Sequence, residues 1–331
     1  MKITYYQRQP HNDSYSIERV FQVVSASLPP NFECKTIASR FKSKGFWKRM
    51  YNILEAFFYQ SDINHITGDV HYLVCLLRKR KTILTIHDCI TLGRLSGIRK
   101  KLFWLLWYWL PVKRSAIITV ISESTKNELL KCVTCDPNKV RVIYDPISND
   151  FKPVQKEFNV NRPTILQVGT GANKNLHRVA EALKGIACHL RIVGRLSDEQ
   201  VRILKKNLID YATIWNLSDE EIVKEYQYCD MLVFASTYEG FGLPIVEAQA
   251  TGRPVVTSNL LSMPEVAGDA ACLVNPFDVE QIRAGILKII RDEKYREELI
   301  QKGFKNVSRF SPEIIIGKYL QIYKEILGNS L

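Results

Sequence analysis

The chain has 331 residues, 46% of them apolar, enough for two globular domains with a core each. Its formal charge is +12, and residues 1–150 hold 23 basic and 12 acidic side chains against 23 and 22 in the rest, so the excess lies in the first half. The longest apolar run, LFWLLWYWL at 102–110, is half the roughly 20 residues a bilayer-spanning helix needs, and eight cysteines are too sparse for a disulfide scaffold. The start, MKITYYQRQP, lacks the apolar stretch of a secretory leader, so a cytosolic location is expected. Positions 40–114 carry 15 basic residues and four acidic ones, which points to an anionic partner for this half: a membrane surface, a lipid phosphate or a nucleic acid.

Apolar runs alternate with amphipathic stretches from end to end, the pattern of α/β units around parallel sheets. In the first half the expected strands are MKITYY, DINHI, TILTIH, AIITVI and VRVIY, with helices at about 17–28, 46–59, 99–112 and 123–131. Residues 145–163 are polar, contain three prolines and show no sustained period, so they read as a linker. The alternation then restarts with TILQVGT, a helix from Asn175, LRIVG, a helix near 198–207, ATIWNL, a helix near 219–228, MLVFAS, RPVVTS and ACLV. A long charged helix is expected over 278–303 and a last one over PEIIIGKYLQIYKEIL. Two doubly wound domains facing a central cleft follow, with boundaries at 1–150, 151–310 and a closing helix at 311–331. The pair Cys132 and Cys135 forms a lone CxxC without a second pair nearby and reads as plain thiols.

In open α/β sheets ligands bind beyond the carboxyl ends of strands. The loop after MLVFAS reads TYEGFGLP, with Gly240 and Gly242 flanking Phe241. Their missing Cβ atoms let backbone N–H groups approach a ligand, and Pro244 suits the first position of a helix. Glu239 then sits in the strand-end loop and Glu247 in the first helical turn, where the dipole favours its charged form. Carboxylates beside a helix N-terminus suit a ligand that mixes hydroxyls and phosphates. The competing reading is a turn glutamate and a dipole-complementing surface glutamate.

The text E-G-F-G-L-P-x-x-E-A followed by T-G-R-P-V-V-T-S resembles the E-x7-E signature of the retaining glycosyltransferases of family 4. QVGTGANKNLHRVAEAL (167–183), NLSDEEIVKEYQYCDMLVFAS, SMPEVAGDAACLVNPFD (262–278), TILTIHDCITL and SAIITVISESTKNEL resemble further segments of that family in the right order over roughly 250 residues. The resemblance implies a GT-B architecture: two Rossmann-like domains, acceptor on the first and nucleotide-sugar donor on the second, with the terminal helix crossing back to the first. It implies a metal-independent hexosyltransferase that moves a sugar, with retained configuration, from a nucleoside diphosphate sugar to a glycan or lipid-linked acceptor in cell-surface polysaccharide synthesis.

By that resemblance Glu247 accepts hydrogen bonds from the ribose hydroxyls, and a two-oxygen carboxylate matches a vicinal diol. Glu239 faces the transferred sugar, and Gly240, Phe241, Gly242 and Leu243 line the sugar and phosphate site. Lys174, between a strand and a helix, is the diphosphate ligand whose ammonium neutralises the leaving group. Gly169, Thr170 and Gly171 make the loop around that phosphate, although relatives place arginine where this chain has Thr170. His87 ends a strand beside the donor sugar. On the acceptor side stand His65 and, where relatives have a Gly-Gly loop, Ser14 and Ser16. Asp145 stands where relatives commonly carry asparagine.

No D-x-D motif or His/Cys cluster has metal-ligand spacing, so neither a metal nor another cofactor is expected. The basic aromatic-rich stretches 41–59 and 98–114 suit an anionic membrane, with peripheral attachment at its inner face as the alternative to a free cytosolic protein. Two other functions fit parts of the pattern. A nucleotide-sugar epimerase of the same fold would need no acceptor. A nucleic-acid-binding protein would use the basic half, but its residues form no RNP-like or helix-turn-helix pattern, so no nucleic-acid partner is expected.

Overall fold

Short apolar runs bounded by turns pair best as parallel strands buried on both faces. The computed structural model describes residues 1–9 and 16–328. They divide into two compact units, Met1–Pro146 with Pro312–Leu331, and Ile147–Ser311.

The first unit runs β1 (Lys2–Gln7), α1 (Ser16–Ala26), β2 (Glu33–Ala38), α2 (Phe46–Phe58), β3 (Ile63–Ile66), β4 (Thr82–Ile86), α3 (Ile90–Arg94), α4 (Gly97–Trp104), a π-helical stretch (Leu105–Trp109), α5 (Leu110–Arg114), β5 (Ile117–Val120), α6 (Glu123–Cys132) and β6 (Val140–Val142). The second runs β7 (Thr164–Val168), α7 (Leu176–Leu183), β8 (His189–Val193), α8 (Asp198–Lys206), β9 (Tyr211–Ile214), α9 (Asp219–Tyr228), β10 (Met231–Phe234), α10 (Leu243–Ala250), β11 (Val255–Ser258), α11 (Ser262–Ala267), β12 (Cys272–Val274), α12 (Val279–Arg291) and α13 (Glu293–Val307). The last helix, α14 (Pro312–Gly328), belongs to the first unit. Among the described residues each unit holds one six-stranded sheet, ordered β2-β1-β3-β4-β5-β6 and β12-β11-β10-β7-β8-β9, with every pairing parallel.

Several elements differ from the sequence expectation, among them the short helices α3 and α11, which no expected helix covers. Strand β2, ECKTIA, was not expected because it is a largely exposed edge strand without the apolar signal of its neighbours. The helix expected over 278–303 is two helices. Asp292 ends α12 and its carboxylate accepts the Tyr295 N–H to start α13. The helix expected over 99–112 is interrupted by the π-helical stretch. Pro111 has no N–H for the carbonyl of Trp107, four residues back, and the His71 ring fills that vacancy through Nδ1–H to Trp107 O at 2.7 Å.

The linker is strapped to the second unit. Ile147 N–H donates to Phe310 O (2.9 Å), the Phe151 ring packs edge-on against Tyr226, and Lys156 pairs with Asp230. These contacts place the division between the units at Pro146–Ile147.

In the first unit a polar chain runs under α14. The Thr119 and Thr85 hydroxyls are bonded (2.7 Å), His65 Nε2 meets Thr85 (2.8 Å), His65 Nδ1 meets the Tyr323 hydroxyl (3.0 Å), and that hydroxyl meets Tyr5 (3.0 Å). Each buried polar group finds a partner here, so the chain fixes the seat of α14. His65 is therefore a core histidine, with no exposure. Burial pushes its pKa down to about 3, which keeps the ring neutral. This corrects its expected place on the acceptor side.

None of the eight cysteines is in a disulfide. The thiol of Cys132 bonds that of Cys89, so the CxxC is not a unit of its own.

Asp145, buried after β6, has its pKa raised by desolvation to about 7. An acid weaker in the folded chain than in the unfolded one contributes full stability below its unfolded pKa and loses it as pH rises towards 7. Asp145→Asn should remove that loss. We expect the variant to melt on the order of 5 °C above the parent at pH 8 and level with it at pH 4, as read by calorimetry. A constant difference across this range would refute the titration of Asp145.

Candidate active site

The second sheet reverses its strand order between β7 and β10, and the loops after these two strands form the crevice of its topological switch point. Lys174 Nζ lies 2.7 Å from Glu239 Oε1 across it, with both side chains mostly buried and the ammonium 4.5 Å from the centre of the Phe234 ring. Asn173 closes the same crevice: its Nδ2 donates to Tyr238 O (3.0 Å) and to Glu239 Oε1 (3.1 Å), and its carbonyl accepts from Thr237 N–H (2.8 Å). The two loops are thus laced together by side-chain and main-chain bonds.

The glycines serve those side chains. A Cβ on Gly169 would stand 2.8 Å from Lys174 Cε, and its φ of +90° is itself strained for any other residue. A Cβ on Gly171 would stand 2.9 Å from Asn173 Oδ1. Both residues were expected to admit a phosphate to the backbone, and the structure places Lys174 and Asn173 in the spaces they leave. Thr170 is turned to the neighbouring strand end, where its hydroxyl donates to Arg195 O (2.8 Å) and its carbonyl accepts from Gln200 Nε2 (2.7 Å). It fastens the loop, and the Arg195 guanidinium lies over the Trp215 ring.

Gly242 caps α10 with φ +113°, a left-handed corner that turns the chain from loop to helix. Leu243 and Pro244 are the first two helical residues, so Glu247 falls in the second turn and not the first. What holds it is the Tyr226 hydroxyl of α9, which donates to Glu247 Oε2. Phe241 is buried with its ring edge-on to Phe310. Ser262 Oγ bonds the carbonyls of Glu239 (2.9 Å) and Phe241 (2.8 Å), pinning the loop through Gly240 from below. Sequence reasoning missed Asn173, Tyr226 and Ser262; only Asn173 carried a local signal, as a strand-end neighbour of Lys174.

The other expected residues lie in the first unit. His87 follows β4, and its Nε2 bonds Thr67 O at 2.8 Å. A carbonyl only accepts, so Nε2 carries the proton and Nδ1 keeps a lone pair. Desolvation brings the His87 pKa down to about 4. Its neighbour Asp88 caps the next turn by accepting Ile90 N–H (3.0 Å). Ser16 begins α1, and Ser14 lies outside the described residues. Among the described residues no three His, Cys, Asp or Glu side chains gather into a metal-binding group.

Residues 148–306 match the family model for glycosyl transferases group 1, and residues 8–151 that for glycosyltransferase family 4. The serotype-specific mannosyltransferase WbdA of Escherichia coli is 38% identical over 258 residues, which is 70% of this chain and 32% of WbdA. The O-antigen chain mannosyltransferase RfbU of Salmonella typhimurium is 28% identical over 228 residues, 66% of this chain and 63% of RfbU. This chain spans about a third of the length of the Escherichia coli relatives it matches. Among solved structures, Anabaena HepE in complex with UDP-glucose superposes with a TM-score of 0.81 over 98% of this chain and 100% of HepE, at 14% identity. That likeness gives the fold, GT-B. With two matched models that between them run from residue 8 to 306, this chain belongs to the family 4 glycosyltransferases.

Proposed function

We propose that the chain is a retaining, metal-independent glycosyltransferase that takes a hexose from a nucleoside diphosphate sugar. The observation that carries this reading is the Lys174–Glu239 pair across the switch point of the second sheet, within the segment matched to group 1 glycosyl transferases. A mostly buried ammonium beside a strand end suits a diphosphate, and in this reading it neutralises the charge that grows there as the glycosidic bond breaks. Glu239 meets the sugar. Glu247, steadied by Tyr226, takes the ribose diol. His87, neutral and with Nδ1 unengaged among the described residues, binds a hydroxyl of the sugar and does not serve as an acid at neutral pH.

The acceptor in this reading is a glycan or lipid-linked glycan at the inner face of a membrane, in the synthesis of a surface polysaccharide. The O-antigen chain mannosyltransferases among the relatives support it, as does the basic excess of residues 40–114. Mannosyl donors are accordingly the first to test, with glucosyl donors beside them. Product formation only when acceptor is supplied separates the transferase from an epimerase, which turns over donor alone.

Two sets of variants test the roles. Each nucleoside diphosphate sugar that binds must raise the melting temperature. Glu247→Ala should weaken donor affinity by about 10- to 100-fold and erase that protection, while the unliganded melting point falls by no more than about 3 °C. Glu239→Gln should lower kcat by about 100-fold or more and leave nucleotide affinity within about threefold. Protection retained in the first, or turnover retained in the second, would refute the assignment.

Gly169→Ala drives a methyl into the Lys174 stem and should act as a partial Lys174→Met. We expect each to reduce kcat and the double variant to be little worse than Lys174→Met alone, because one displaces and the other removes the same ammonium. Additive losses would show that Gly169 serves something other than Lys174.

A further inference from the structure

The buried edge of α2 is Asn52, Ile53 and Ala56. Asn52 Nδ2 donates to Phe41 O (2.8 Å) and to the Tyr72 hydroxyl (3.0 Å), so the helix is fastened by a polar bond as well as by packing. At 100° per residue, the arc beside that edge holds Phe46, Phe57, Leu54, Trp47, Phe58 and Tyr51. Every one of them is exposed: Phe46 by 66%, Trp47 by 82% and Phe58 by 78%. Phe46 meets Trp47 edge-on, as Phe57 meets Phe58, so much of their ring contact is with one another.

Basic residues border this face. Lys42, Lys44 and Lys48 are exposed and, among the described residues, make no ion pair. Arg40 lies over the Tyr51 ring, and Glu55 is the one acid within α2. Arg49 lies over Trp107 and Trp107 stacks on Phe103, which ties the first turn of α2 to α4. There Ile98 is 78% exposed, beside exposed Arg99, Lys100 and Lys101. Protein interfaces are depleted of lysine where they are enriched in aromatics. Large aromatics on one arc with a lysine border are the composition of a helix lying in the plane of an anionic bilayer. No helix among the described residues is long and apolar enough to cross a membrane.

We propose that the exposed aromatic arc of α2, bordered by Lys42, Lys44 and Lys48, seats the first unit in the headgroup layer of an anionic lipid bilayer. The aromatic rings enter the boundary between headgroups and acyl chains and the lysines contact lipid phosphates. The proposal deepens the reading above by naming the surface that meets the membrane, and it rests on that reading only for the acceptor's location.

The test is flotation of the full chain with vesicles of phosphatidylcholine alone or mixed with phosphatidylglycerol, at low and high salt. The parent should float with the anionic vesicles, less so at high salt, and hardly with the neutral ones. Trp47→Ser/Phe58→Ser should reduce binding at least tenfold. Lys42→Glu/Lys44→Glu/Lys48→Glu, which keeps the apolar face, should reduce it by well over tenfold, since each phosphate-facing charge contributes about fivefold. Leu208→Ser, at a residue 88% exposed in the second unit, should float like the parent. Unchanged melting temperatures and unchanged protection by donor must accompany both losses, which keeps this outcome separate from a failure of the donor site. The proposal is overturned if the parent floats with neither vesicle, if either multiple variant floats as well as the parent, or if Trp47→Ser/Phe58→Ser instead dissolves a dimer seen by sedimentation.

Discussion

The ion pair between Lys174 and Glu239 is the constraint on which the site in the second unit turns. Opposite charges this far from water are stable only when they are paired and hydrogen-bonded, and here Asn173 supplies the additional donor to Glu239. That requirement propagates outward. Gly169 has to be bare so that the lysine stem can pass, Gly171 so that Asn173 can turn, and Ser262 has to hold the Glu239 and Phe241 carbonyls so that the carboxylate keeps its height above the sheet. In the reaction proposed above, a crevice that begins with its ammonium and carboxylate fixed would need little reorganisation as charge develops, which is where electrostatic catalysis draws its advantage.

The two strand-end histidines of the first unit show how environment decides chemistry. Both rings are kept neutral by desolvation. His65 has each nitrogen engaged by a core hydroxyl, Tyr323 on one side and Thr85 on the other, and so belongs to the packing of α14. Among the described residues His87 commits only its Nε2, to the Thr67 carbonyl, and so retains a directed lone pair. The difference lies in what α14 brings: its Tyr323 completes the hydrogen bonding of His65 from 258 residues away.

That distance explains which features the sequence revealed. Buried parallel strands are continuous apolar runs, so MLVFAS, TILTIH and TILQVGT were legible, and GANK and YEGFG could be assigned to the loops beyond two of them. The pairing of Lys174 with Glu239 spans 65 residues and was legible only as two loops sharing one sheet edge. Tyr226 as the holder of Glu247 was not legible, because a tyrosine in an amphipathic helix looks like core until its hydroxyl is seen. Periodicity also misplaced boundaries: apolar spacing continues through Asp292, whereas the chain uses that aspartate to stop one helix and cap the next. Glu247 was expected in the first turn because Pro244 as first helical residue makes it the fourth, while the left-handed Gly242 starts the helix at Leu243 and makes it the fifth.

The surface of α2 has to be understood against the same physics that builds the cores. A helix contributes to folding through the stripe it buries, and Asn52, Ile53 and Ala56 form that stripe in α2. The rings of Trp47 and Phe58 lie outside it and add little to the fold, yet they leave apolar area in contact with water, which favours aggregation unless something covers it. In the second unit comparable rings are turned inward, Phe241 onto Phe310 and Phe151 onto Tyr226. The second unit also exposes single rings, Trp215, Tyr228 and Phe277, each under a basic side chain, whereas α2 gathers several on one arc. It is the clustering of rings on one arc with lysines at its border, and not exposure alone, that matches an apolar layer beneath a negatively charged one, as proposed above.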